Sequence, residues 1–288
     1  MLIKNFNWVG LAAILLIAGC AKEEEVSEQD RMATESAAQD YLLAETTFEG
    51  VFKMVDEEAK KQGDLNGFQV PDDELDDRDN CPEVSFTLTD NTIFPATLTL
   101  TFEEGCTTPS GATASGTVIA IYDGLLFSPG TSYSLRFLDF VHNGNTITGD
   151  YVLSNDGEDA NGQWTFTATV DGVVTTADGR TINYQSQRVS KMIEGNDTNF
   201  FTDGLSGIFD DVWGTTQEST ITNSEGQVLT VTTPDLIRSP LTCRWPVSGF
   251  VDLNLSNPDT DGSLDFGDGD CDNKAVLTIG TYTVEIEL

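Results

Sequence analysis

Along most of the chain, apolar and polar residues alternate in short segments. Residues 94–102 place apolar side chains at every second position with threonines between most of them. Residues 164–170 repeat this pattern, and residues 282–288 close the chain in the same way. A period of two is typical of β-strands with one buried and one solvated face. The pattern therefore predicts a mainly β region from residue 81 to residue 288.

Short interruptions divide the alternating segments into separate strands. In residues 133–140 the apolar phase shifts between Phe137 and Leu138, which predicts a β-bulge. Long helical patterns do not intervene, so we expect an antiparallel meander and not parallel βαβ units. Four dipeptides typical of tight turns separate other segments: Asn143-Gly144, Asp171-Gly172, Asp178-Gly179 and Glu225-Gly226.

The apolar face of such a meander must be buried against another part of the chain. The sheet can fold over as a sandwich, close as a barrel or curl around a helix, and the pattern does not decide among these. We expect a two-layer, sandwich-like β domain over residues 81–288, with one helix packed outside it or across one end.

Residues 27–63 show the period of an α-helix. Ser27 followed by Asp30 is typical of a helix start, and Gly63 supplies a left-handed cap at the end. Gly50 lies inside this segment, where it favours a kink or break. We expect the apolar stripe to pack on the chain's own sheet rather than on a partner helix. The stripe consists of Ala37, Tyr41, Ala44, Phe48, Val51, Phe52, Val55 and Ala59.

Residues 64–80 form an acidic linker. Six acidic side chains crowd its residues 72–79, opposed only by Arg78. Like charges in such a block repel one another and favour an extended chain. A calcium-binding patch is the alternative interpretation.

The first nineteen residues have the pattern of an export signal. Lys4 supplies a positive charge, and residues 8–18 form an apolar run broken only by Gly10. This run suits a signal peptide but is too short to span a membrane, which takes about 20 residues.

The run ends in Leu16-Ile17-Ala18-Gly19-Cys20, which resembles the lipobox of bacterial lipoproteins. The resemblance implies that the signal is cut before Cys20 and that its thiol carries diacylglycerol, making residues 20–26 an acylated tether. Two or three acyl chains suffice for stable anchoring. The alternatives are an ordinary cleaved signal with an incidental cysteine, or a short membrane anchor.

Residues 21–25 resemble the short Lys-plus-acid tag that directs Bacteroidota lipoproteins to the outer cell surface. The alternative is a solvated charged spacer. On the first interpretation, the protein is anchored in the outer membrane and faces outward.

Charge restricts the classes of partner. The chain carries 48 acidic and 14 basic residues, a net charge of -34. Binding to nucleic acid needs a basic face, so we expect no nucleic-acid partner. Direct contact with anionic lipid head groups is disfavoured too, which leaves the acyl chains on Cys20 as the expected membrane contact.

Four cysteines remain if Cys20 is acylated, and an even number in an exported protein suggests disulfides. Three connectivities exist. We favour Cys81–Cys106 and Cys243–Cys271, because each pair brackets a segment that reads cysteine, strand, turn, strand, Phe, acids, Gly and cysteine. A metal site is the minor alternative, and no CxxC or Cys/His spacing supports it.

Four blocks, residues 81–106, 147–157, 179–195 and 243–273, resemble a group of uncharacterised Bacteroidota outer-membrane lipoproteins. Together with the lipobox, the resemblance covers roughly residues 80–288. It implies an exported, acylated, β-rich protein. It implies no activity, cofactor or ligand.

Candidate catalytic chemistry is sparse. His142 is the only histidine, and it precedes a turn, so we interpret it as an ordinary hairpin residue. The G-x-S-x-G, H-E-x-x-H and P-loop motifs do not occur. Paired carboxylates for glycoside hydrolysis are uninformative among 48 acids. We therefore expect no enzymatic activity and no obligatory cofactor.

Residues 257–268 contain the best metal candidate. They match an EF-hand-like pattern of oxygen ligands with Gly262 at the sixth position, although the flanks are typical of strands. The alternative is a polar hairpin loop. The candidate calcium ligands are Asn257, Asp259, Asp261, Asp265 and Asp268.

Aromatic residues in a Gly/Asp-rich stretch are the last candidate site. Exposed rings could stack on sugars, but core packing is the favoured interpretation. The residues are Phe200, Phe201, Phe209 and Trp213.

The sequence thus predicts a lipid-anchored, surface-exposed lipoprotein of the outer membrane that binds or scaffolds without catalysis. One alternative is a carbohydrate-active enzyme or its accessory subunit. Another is a periplasmic lipid carrier with a curled apolar sheet. The protein or glycan ligand is not defined by the sequence.

Overall fold

The computed structural model describes residues 26–61, 81–88, 94–108, 111–126, 128–198 and 209–288, where it places one helix and fourteen strands. The helix α1 is Glu28–Lys61. The strands are β1 Glu83–Leu88, β2 Ala96–Thr107, β3 Thr113–Tyr122, β4 Ser132–His142, β5 Asn145–Glu158, β6 Trp164–Thr175, β7 Thr181–Glu194, β8 Val212–Asn223, β9 Val228–Thr232, β10 Ile237–Pro240, β11 Ser248–Ser256, β12 Asp259–Asp268, β13 Lys274–Ile279 and β14 Tyr282–Glu287.

All fourteen strands belong to one antiparallel sheet. Consecutive strands pair from β1 through β8 and from β11 through β14. Between them, β9 and β10 lie end to end, since each pairs with both β8 and β11. The expected mainly β, antiparallel meander with one N-terminal helix is confirmed.

The helix is continuous from end to end. Its first turn is capped by Ser27, whose Oγ accepts a hydrogen bond from the Asp30 N–H at 3.1 Å. Gly50 does not break it, and a Cβ at that position would lie 3.8 Å from the His142 ring. Gly63 and the linker at residues 64–80 fall outside the described residues.

The helix crosses the sheet from its last strands toward its first. Near its start, Val26 lies against Gly280 in the β13–β14 turn, and Arg31 lies over the ring of Tyr282 in β14. Midway, Tyr41 meets Gln217 of β8. Farther along, Phe52 stacks on Tyr133 of β4.

One curled sheet buries the helix on most of its circumference. This differs from the expected two-layer domain with the helix outside it or across one end. Every residue of the expected apolar stripe is buried or half-buried. The stripe belongs to a single core cluster that also includes residues of β2 and β13. Exposed helix positions form one narrow strip that includes Met32, Gln39 and Lys53. The helix thus takes the place that a second sheet would fill.

The predicted β-bulge and the predicted turns lie at the expected positions, with one exception. A register shift between Arg136 and Phe140 confirms the bulge, and Asn143-Gly144 forms a turn with positive φ at both residues. The expected turn at Asp171-Gly172 is wrong, because β6 runs straight through it. Gly172 faces the helix, where a Cβ would lie 2.3 Å from Phe48 Cζ.

The cysteines lie in the expected pairs. Cys81 and Cys106 have their Cα atoms 5.9 Å apart, and Cys243 and Cys271 are 5.7 Å apart. Both separations are typical of disulfides. The first bond links the segment before β1 with β2, and the second links the segment before β11 with the segment between β12 and β13.

Candidate functional site

A charged cluster lies between the helix and the concave face of the sheet. Glu45 and Glu49 stand one turn apart on α1 and point toward β7, where Tyr184 and Arg188 face inward. The side chains of the three charged residues are only 16–22% exposed. Such groups must be paired to offset the loss of solvation.

Arg188 holds both carboxylates. Its Nη1 donates to Glu45 Oε1 at 2.7 Å, and its Nη2 donates to Glu49 Oε1. The hydroxyl of Tyr184 donates to the other oxygen of Glu45. One guanidinium fork therefore ties two successive helix turns to a single strand, an arrangement that Arg makes better than Lys.

A hydrogen-bonded chain extends the cluster toward β8. Gln217 Nε2 donates to the Tyr41 hydroxyl at 2.6 Å and lies 3.3 Å from Ser219 Oγ. Ser219 in turn donates to Ser186 of β7 at 2.9 Å. Each of these groups has a partner, so the cluster fixes the register of helix against sheet.

The cluster holds two carboxylates and one guanidinium, and burial together with this imbalance of charge shifts the pKa values of Glu45 and Arg188. Burial raises the pKa of Glu45, and neighbouring Glu49 adds to the shift, while Arg188 opposes it. Burial alone would lower the pKa of Arg188, but Glu49 and Glu45 raise it well above its ordinary value. One guanidinium thus serves two carboxylates, and burial favours the protonated form of Glu45.

An aromatic stack continues from the cluster toward the start of the sheet. Phe52 lies between Tyr133 and Tyr151 with ring centroids 5.6 and 5.5 Å apart. Tyr122 stacks on Tyr133 at 5.1 Å. Within the described residues, the Tyr133 hydroxyl is the one buried side-chain polar atom without a hydrogen-bond partner. Burial raises the pKa of each of the three tyrosines.

A second ion pair fastens the helix to the β6–β7 turn. Arg180 Nη1 lies 2.6 Å from Asp40 Oδ1, and Arg180 also contacts Asp178. The Asp40 side chain is 5% exposed. Ion pairs therefore join the helix to the sheet at two points. The paired residues lie 140 positions apart in sequence at Arg180 and Asp40, and 143 positions apart at Arg188 and Glu45.

The space inside the cluster is small. A cavity of about 10 Å³ is lined by Glu45, Glu49, Tyr151, Tyr184 and Arg188, among others. That volume holds about one water molecule. The arrangement can lock the helix in place and hold a water, but the two carboxylates face their shared arginine and not an open cleft.

Residues 257–268 fold as a turn followed by a strand, not as one continuous loop. Asn257 lies in the β11–β12 turn, and the residues from Asp259 to Asp268 form a regular strand. Asp261 and Asp265 are both exposed on its outer face, about 13 Å apart along the strand. Asp261 accepts a hydrogen bond from Asn254 at 2.6 Å. In the described part of the chain, groups of three or more metal-ligating His, Cys, Asp or Glu residues are absent.

The remaining sequence candidates are scattered. Cys20, Phe200 and Phe201 fall outside the described residues. His142 is 8% exposed, and burial lowers its pKa. Trp213 is half-buried and packs edge-on against Phe166 with centroids 5.6 Å apart, while Phe209 is 57% exposed. Among the described segments, none contains a helix long and apolar enough to cross a membrane.

A row of polar side chains crosses eight strands on the outer face of the sheet. A single cross-strand row runs through directly paired residues on β4, β5, β6, β7, β8, β9, β11 and β12. Seven of its members are exposed and one is half-buried. They are Arg136, Asp150, Asp171, Gln185, Thr220, Thr230, Asn254 and Asp261.

No protein-family model matches this chain, and neither does any curated protein or solved structure.

Proposed function

We propose that the chain is a non-enzymatic binding or scaffold lipoprotein, anchored in the outer membrane through acyl chains on Cys20 and facing outward. The observation that carries this proposal is the division of the sheet into two faces. The concave face is filled by α1, whereas the outer face presents a continuous row of polar side chains across eight strands. A surface of this kind suits a partner that binds outside the fold.

The distance from the anchor supports the same proposal. The helix begins at Glu28, so seven residues separate it from Cys20. An extended chain spans about 3.3–3.6 Å per residue, which keeps the domain within roughly 30 Å of the acyl chains. The sheet would then be presented close to the membrane surface.

Neither alternative finds its required geometry in the described residues. A lipid carrier calls for an open apolar trough, whereas α1 occupies the concave face. A carbohydrate-active enzyme calls for two carboxylates beside an open cleft, whereas Glu45 and Glu49 share Arg188. Both observations favour binding on the outer face.

The test combines labelling with protease shaving of intact cells. Wild-type protein should incorporate palmitate and lose it in the Cys20→Ala variant. Shaving of sealed cells should release peptides from residues 81–288. Protection of those peptides until the envelope is opened would refute the outward orientation, and labelling of the Cys20→Ala variant would refute the anchor.

A further inference from the structure

A groove of about 360 Å³ lies on the outer face over β6, β7, β8 and β9. It reaches Thr232, the last residue of β9, just before the break between β9 and β10. Its volume falls within the range of small-molecule sites. Unlike the cavity beneath the helix, it opens to solvent and a ligand can enter it without moving any element.

Two adjacent rows of polar side chains form its floor. The first row pairs Asp171 with Gln185, and Gln185 with Thr220. In the second row Gln187 pairs with Glu218, and Glu218 with Thr232. Neighbouring strands lie about 4.8 Å apart, and alternate residues along a strand about 6.8 Å apart. The groove is thus a regular grid of hydrogen-bonding groups.

Most of these side chains make no hydrogen bond to other described residues and remain available to a ligand. Gln187, Glu218, Thr220 and Thr232 have no side-chain hydrogen bond to any other described residue, and Gln185 makes only a long contact of 3.3 Å with Asp171. Elsewhere on the outer face, side chains such as Asn254 and Asp261 bond each other. The amides and hydroxyls offer both donors and acceptors.

The charge of the groove narrows the class of ligand. Its charged lining groups, among the described residues, are the two carboxylates Asp171 and Glu218, which repel anions. Its other polar lining groups are neutral amides and hydroxyls, which match a ligand that both donates and accepts hydrogen bonds at close intervals. A hydroxyl-rich, uncharged chain has this chemistry throughout its length.

We propose that this groove binds a short stretch of neutral polysaccharide, with threonine hydroxyls and glutamine amides contacting the sugar hydroxyls. The inference rests on the proposed function as a surface binding protein, and it names the site and ligand class. Because the test uses purified protein, failure of glycan binding is separate from failure of the shaving experiment on cells.

The experiment uses the full acylated chain in detergent micelles. Immobilised protein is exposed to neutral, amine-bearing and acidic oligosaccharides and to oligolysine, and the best ligand is titrated by calorimetry. The key variant is Thr220→Val/Thr232→Val, which removes two hydroxyls while keeping β-branched side chains that suit a strand. Thr99→Val, on the outer face of β2, is the matched control.

The proposal predicts binding of neutral oligosaccharides that weakens at least tenfold in the double variant and stays unchanged in the control. Binding should also change little with salt, because no charge pairing is involved. Three results would overturn it: no neutral oligosaccharide binds, binding survives in the double variant, or only oligolysine binds and does so in a salt-sensitive way. Unfolding curves of both variants establish that a lost signal does not reflect lost structure.

Discussion

Replacing Arg188 with methionine tests whether the buried cluster holds the helix. The substitution keeps a long side chain but leaves Glu45 and Glu49 facing each other without their shared cation. Breaking a buried pair by removing one partner costs about 3–5 kcal/mol. Since these side chains keep 16–22% exposure, we expect a smaller loss of about 2–4 kcal/mol in the free energy of unfolding.

The assay is urea denaturation of the full chain followed by far-UV circular dichroism, with linear extrapolation to water. The corresponding drop in melting temperature is roughly 4–16 °C for a chain of this size. The matched control is Arg136→Met. Arg136 lies 3.8 Å from Asp150, and both side chains are about two-thirds exposed, so we expect a loss below about 1 kcal/mol.

A triple variant separates charge from packing. Glu45→Gln and Glu49→Gln added to Arg188→Met remove the unpaired carboxylates, which should recover much of the lost stability. The deficit of Arg188→Met should also shrink at acid pH, because the carboxylates can then take up protons. An Arg188→Met protein within about 1 kcal/mol of wild type, or a triple variant less stable than the single one, would refute the reasoning.

Three further predictions concern pH, crosslinks and packing. The folded-state pKa of Glu45 is raised above its ordinary 4.5. The stability advantage of wild type over Glu45→Gln should therefore be largest below pH 4.5 and should decline as pH rises through the raised pKa. Thermal melts of both proteins from about pH 4 to 8 check this, and a difference that stays constant with pH would contradict it. Replacing both Cys243 and Cys271 with serine should lower the free energy of unfolding by about 3–4 kcal/mol for a loop of this length. The measurement is the shift in the urea midpoint. Adding reducing agent to this variant should lower the midpoint further only by the contribution of the other disulfide. Gly172→Ala should cost about 1–3 kcal/mol by overpacking against Phe48, and Phe48→Leu in the same chain should relieve part of that cost in a double-mutant cycle.

The parts of the fold that the sequence predicts are those carried by local periodicity. Alternation through Leu98 and Leu100 identifies a strand and its buried face, because that signal needs no knowledge of neighbouring strands. The apolar stripe and Ser27 identify the helix for the same reason. The similarity of the two cysteine-bracketed segments leads to the pairing that the structure shows.

The way in which the sheet covers its apolar face depends on contacts between segments far apart in sequence, so local patterns do not decide it. Asp171-Gly172 looks like a turn because the dipeptide favours one, yet Phe48 from a segment 124 positions earlier requires a residue without a side chain there. Only the docked helix reveals that requirement.

The charged cluster is missed for a similar reason. Glu45 and Glu49 flank the apolar stripe and resemble ordinary solvated positions of an amphipathic helix. Arg188 continues the alternation of Tyr184 and Ser186, but a polar residue in a strand does not indicate which face it occupies. A sheet that wraps well past the apolar stripe turns these three positions inward. A cue does exist in the opposite charges of the two segments, but 48 acids in the chain obscure it.

The course of α1 across the sheet has a mechanical consequence for an anchored protein. Tension between the proposed acyl anchor and a ligand on the outer face would enter the fold at Val26 and Arg31, beside the last two strands. The helix would then be loaded from one end and peel away contact by contact, with the paired carboxylates at Arg188 as the first strong obstacle after Asp40 and Arg180. Once drawn out and extended, its 34 residues would lengthen the tether by roughly 60 Å.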